Sequence, residues 1–94
     1  MAIKIEVDGK RTEITPKRGA KKKFTLEELR EAIGGGYVER HEILNPKKSD
    51  NWPYVVAWFD EDGLAKNLPG NDSASQIARF PLVGTVLFCR RSEA

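Results

Sequence analysis

The chain has 94 residues, 39% of them hydrophobic and 32% charged, and a formal net charge of +2. That length holds one domain, and this balance of apolar and charged residues excludes a disordered chain. A single cysteine excludes an internal disulfide framework and a cysteine-based zinc site, and the longest apolar run, Tyr54 to Phe59, is too short to span a bilayer.

Ile3, Ile5 and Val7 alternate with Lys4, Glu6 and Asp8, the period of a half-buried strand. Asp8-Gly9 marks a hairpin turn, and Lys10 to Thr15 returns as a second strand. The start of the chain has no signal-peptide apolar block, so a cytoplasmic location is expected. Pro16 to Lys23 reads as a loop in which Lys17, Arg18, Lys21, Lys22 and Lys23 crowd five positive charges together. Residues 1–23 hold eight of the 16 Lys and Arg but only three of the 14 Asp and Glu. The +2 is thus the sum of a basic first quarter and a mildly acidic body.

The next boundary is the best marked. Thr25 and Glu28 have the spacing of a reciprocal capping box, with Phe24 and Leu29 placed for a hydrophobic staple. Glu27 and Glu28 complement the positive end of the helix dipole. Leu26, Leu29 and Ile33 share one face of a helix over 25–33. Gly34-Gly35-Gly36 ends it, since glycine enters the left-handed region without steric cost. A helix this short needs a sheet to dock on.

Tyr37 to Leu44 forms the third strand, with Tyr37, Glu39, His41 and Ile43 on one face and Val38, Arg40, Glu42 and Leu44 on the other. Asn45 to Asn51 is a polar loop. Tyr54 to Phe59 is apolar on both faces, Tyr54, Val56 and Trp58 on one and Val55, Ala57 and Phe59 on the other, which suits a central strand covered on both sides. Asp60 to Gly63 is a turn, and Leu64 to Leu68 is expected to add a short strand. Asn71 or Asp72 caps a second helical turn near 72–78, Val83 to Cys89 closes the sheet, and the tail, 89–94, is expected to fray over Arg90 to Ala94. The expected fold is α+β: one domain over 1–94, with about five mainly antiparallel strands and one short capped helix. Residues 1–23 are its basic hairpin and loop, and 24–88 its body. One small helix cannot cover both faces of such a sheet. Either the second helical turn with loops covers the other face, or a second copy of the chain does.

No residue set points to catalysis. His41 shares a predicted face with Glu39, but a general base also needs a held substrate or nucleophile, and none stands at a recognisable spacing. Cys89 lies in an apolar strand and reads as core. Asp60-Glu61-Asp62 lacks the ligand spread of a calcium loop, and the three glycines follow a helix where a phosphate-cradling loop would precede one. Neither a cofactor nor a metal is expected. The binding candidates are therefore the basic loop, Lys17, Arg18, Lys21, Lys22 and Lys23, together with Trp52, Tyr37, Arg40 and His41. The loop can neutralise phosphates of a nucleic acid. Trp52 and Arg40 with the loop can stack on and neutralise a nucleotide-like ligand. Trp52 beside a polar loop also suits a protein contact.

The segment Phe24-Thr25-Leu26-Glu27-Glu28-Leu29, with Ile33-Gly34-Gly35-Gly36-Tyr37-Val38-Glu39 after it, resembles a helix-into-strand pattern of a family of phage and mobile-element proteins, domain of unknown function 3846. Asp62 to Asn71 with Ala74, and Pro81 to Leu87, resemble two later stretches of that family, so the likeness runs over residues 24–88. The chain departs from the pattern in its extra Gly34, in Asn67 and in its basic arm. The resemblance implies a small α+β domain encoded by a mobile element, with no assigned activity and no catalytic residues to carry over. It places the protein in the cytoplasm of a bacterial host, where a chain without a catalytic set is expected to occupy a host protein, for instance one of host defence.

Overall fold

The computed structural model describes residues 2–19, 22–43 and 54–94. Five strands form one antiparallel sheet: β1 (Ala2–Ile5), β2 (Arg11–Ile14), β3 (Val38–Glu42), β4 (Val56–Asp60) and β5 (Val86–Cys89). Helix α1 (Leu26–Ile33) lies between β2 and β3 in sequence, and α2 (Asp72–Ala78) between β4 and β5. The spatial order is β2-β1-β5-β4-β3, so the N-terminal hairpin and β3 occupy opposite edges. At about 4.8 Å per strand those edges stand about 19 Å apart. No helix among the described residues is long and apolar enough to cross a membrane.

Both faces of the sheet are covered, and alternation along β5 shows how. Val86 and Phe88 pack with Ile5, Ala57 and Phe59 against Ala74 and Ala78 of α2. Leu87 and Cys89 pack with Val56 and Ala2 against Leu29 and Ile33 of α1. The second helix therefore covers the face that α1 leaves bare, and the core is closed within one chain. Its radius of gyration, 12.2 Å, is that of a single compact domain of this length.

The helix termini behave as their residues dictate. The Thr25 hydroxyl accepts from the Glu28 N–H at 3.1 Å, and the Glu28 carboxylate accepts from the Thr25 N–H at 3.0 Å. Gly34 ends α1 in the left-handed region at φ 97°. Phe24 and Leu29 join one buried cluster, as a staple requires, but Leu26 turns outward and is 55% exposed. Its place on the apolar stripe is taken by the half-buried Ala32. Asn71 caps α2 by accepting from the Ala74 N–H at 3.1 Å.

Four further expectations change. Residues 64–68 form no strand. Bonds from Gly63 N–H to Asp60 O, Lys66 N–H to Asp62 O and Leu68 N–H to Gly63 O wind them into turns, and Asn67 takes φ 56°. The Asp60 carboxylate fixes this winding by accepting from the Asp62 N–H and from Lys66 Nζ, both at 2.8 Å.

Tyr54 does not share a face with Val56 and Trp58. Val55 donates to Cys89 O, Val56 also lies opposite Cys89, and both valines pack on the α1 side. This extra residue sends Tyr54 into the α2-side core.

The C-terminus does not fray. Cys89 belongs to β5 and is fully buried, and a 3-10 turn at Arg91–Glu93 docks against the start of α1. There the Phe24 N–H donates to Glu93 O at 2.9 Å, and Glu93 is 1% exposed.

Tyr37 parts from the face that carries His41. Arg30 of α1 lies 5.5 Å over its ring, before β3 begins.

Candidate binding face

The basic loop is built onto α1. The Lys17 N–H donates to Glu28 Oε2 at 2.8 Å, and Lys17 Nζ stands 3.5 Å from Glu31 Oε2. Glu28 thus accepts from two backbone N–H groups, of Lys17 and of its own N-cap, and these bonds hold its carboxyl below the usual range. One consequence is that the positive end of α1 is already filled by a side chain of its own chain. A second is that Lys17 is neutralised. Arg18, Lys22 and Lys23 are exposed and make no ion pair among the described residues. Lys21 and Trp52 lie outside the described residues.

Beside this segment a cleft of about 230 Å³ opens between the N-terminal hairpin and α1. Ile14, Phe24 and Ala32 give it apolar lining, Thr15 borders it, and Lys4, Lys17, Glu28 and Glu31 supply its charges. The cleft exists because α1 sits over β3, β4 and β5 and leaves the β1–β2 side of this face to the loop. Lys4 lies there because it alternates with Ile3 and Ile5, which pack on the other face. Sequence reasoning did not find this cleft. Alternation marked Lys4 as turned away from Ile5, but only the docking of α1 and the loop makes that face a wall.

The remaining candidates lie elsewhere. Arg40, on the opposite edge, bonds Glu42 Oε1 at 2.9 Å and lies 6.0 Å from the Trp58 ring, with Arg91 3.8 Å from the same Glu42 oxygen. Arg40 and the basic loop therefore belong to opposite edges of the sheet. His41 stacks on Phe80, just past α2, with ring centres 4.5 Å apart. Tyr37 is 63% exposed beneath Arg30. The fold brings none of these three to the cleft.

Burial pushes the Cys89 thiol up to about 11. The thiolate is therefore scarce at neutral pH and the residue acts as core. No group of three or more metal-binding side chains occurs among the described residues. Comparisons with family models, with curated proteins and with solved structures found no match to the chain.

Proposed function

We propose that this chain is a non-enzymatic accessory binding protein of a phage or mobile element that occupies a protein of its bacterial host, in the cytoplasm. The observation that carries the reading is that exposed Arg18, Lys22 and Lys23, without ion pairs among the described residues, flank in sequence Lys17 and Phe24, which line a small apolar cleft. Cations next to an apolar recess suit a protein surface, which offers carboxylates and an anchoring side chain together. The host-protein and host-defence part rests on the resemblance of residues 24–88 to the mobile-element family.

Two features weigh against the alternatives. The cleft lies below the roughly 300 Å³ at which small-molecule pockets begin, and its lining matches Lys4 and Lys17 with Glu28 and Glu31, which disfavours a nucleotide-like anion. Single-strand binding adds aromatic stacking platforms to basic residues. The one aromatic lining the cleft among the described residues, Phe24, is 7% exposed.

The test is capture from host lysate by the tagged chain, beside a variant with Arg18, Lys22 and Lys23 replaced by Glu. A host protein held by the parent and lost by the variant supports the reading. Absence of any reproducible host protein overturns it. A gel shift of nucleic acid at low salt, steeply weakened by added salt, favours the nucleic-acid alternative.

A further inference from the structure

The hairpin leaves one line of main-chain groups facing outward. The Glu6 N–H donates to Lys10 O, and in the same register Lys4 pairs with Thr12 and Ala2 with Ile14. Bonded pairs alternate along an antiparallel ladder, so Thr12 and Ile14 turn their N–H and C=O toward β1. Glu13, between them, turns its own to the outer edge of the sheet. It is exposed, and β2 has no neighbour on that side among the described strands.

Charge distinguishes this edge from the other. At β3, Arg40, Glu42 and Arg91 already satisfy one another. Around β2, Lys10 at one end, Arg18 past the other, and Lys22 and Lys23 farther along the same loop make no ion pair among the described residues. The Glu13 side chain faces the α2 side, with Ile3 as its cross-strand partner. Ile14 and Thr15 line the cleft on the α1 side.

From this juxtaposition we infer that the outer edge of β2 takes up an extended acidic segment of the partner protein as a sixth strand. One apolar side chain of that segment seats in the cleft, and its carboxylates lie toward Lys10 and Arg18. Main-chain bonds supply affinity in this mode, and the pocket supplies selectivity. The inference rests on the protein-binding reading above and names the chemistry of the partner.

The test uses the full ¹⁵N-labelled chain and a synthetic extended peptide with one central Leu and Glu at both ends, which keeps its carboxylates away from Glu13, beside the same peptide with Lys for Glu. The Glu-Leu peptide should shift the Glu13 amide and slow its hydrogen exchange, and the Lys-Leu peptide should not. Glu13→Pro should abolish binding and leave the unfolding midpoint unchanged, because the N–H it removes does not serve the ladder to β1. Ala32→Phe, which fills the cleft, should weaken binding by about tenfold without touching the edge. An unperturbed Glu13 amide, equal binding of the Lys-Leu peptide, or shifts confined to β3 overturns the inference. So does an oligonucleotide that shifts Lys22 and Lys23 while the peptide shifts nothing. If Glu13→Pro still captures the host protein that the parent captures, the sixth strand is wrong and the protein-binding reading stands.

Discussion

The Glu28 carboxylate accepts from the Lys17 N–H at 2.8 Å and from the Thr25 N–H at 3.0 Å, so one side chain closes the helix cap and moors the basic loop. Cap and loop are therefore coupled. Glu28→Ala should lower the unfolding midpoint, because it removes the reciprocal half of the capping box. It should also speed hydrogen exchange at Lys17, eleven residues away in sequence. Denaturant unfolding and amide exchange check the two effects, and unchanged exchange at Lys17 would show that the tether does not hold in solution.

Acid should weaken the protein through two carboxylates. Burial raises the Asp60 carboxyl, but hydrogen bonds from Lys66 and the Asp62 N–H outweigh it and hold the group below its usual range. Glu28 is lowered by its backbone donors. A carboxylate with a depressed folded value contributes stability above its unfolded value, about 4 for these residues, and loses it as pH falls through the folded one. Urea midpoints measured from pH 6 down to pH 2 should therefore fall on the acid side. The double variant Asp60→Asn, Glu28→Gln should start lower and fall less. A parallel curve for that variant would refute the assignment.

Asn71 is the buried polar group on which the α2 side depends. Its side-chain amide donates to Ile5 O and Gly84 O, both at 2.9 Å, and its oxygen caps α2. Asn71→Ala would leave these groups unpaired where Ile5 and Ala74 are fully buried. Each unsatisfied group costs roughly 1–3 kcal/mol, so a total loss of about 3 kcal/mol or more is expected. The change should appear as a lower midpoint in urea unfolding.

Cys89 should be silent toward thiol reagents while the protein is folded. Complete burial keeps reagent out, and a thiol pushed up to about 11 offers little thiolate. Labelling at pH 8 should track global unfolding in urea. Rapid labelling of the native chain would contradict the burial of β5.

Reversing charge at Arg18, Lys22 and Lys23 should leave the fold intact. All three are exposed without ion pairs among the described residues, so denaturant stability should change by less than about 0.5 kcal/mol. A larger loss would assign them to the fold and remove them as a binding surface.

The sequence by itself determined the local features. Thr25 with Glu28, Gly34 past the helix end, Asn71 before α2 and Asp8-Gly9 in the hairpin each act through main-chain groups a few residues away, so spacing alone was enough to read them. Alternation located the strands for the same reason. Tertiary structure decided what depended on distant partners. The extra residue at Val55 and Val56 arises only opposite Cys89, and the turns at 64–68 depend on the Asp60–Lys66 pair. Glu93 is buried only because the C-terminal turn meets Phe24. The order of strands set the candidate site: it parted Arg40 and His41 from the basic loop and brought Lys4 to it. Composition showed a basic first quarter; the fold showed that Lys17 pairs with Glu31 of α1 while Arg18, Lys22 and Lys23 meet no carboxylate among the described residues, because that depends on which groups come within reach.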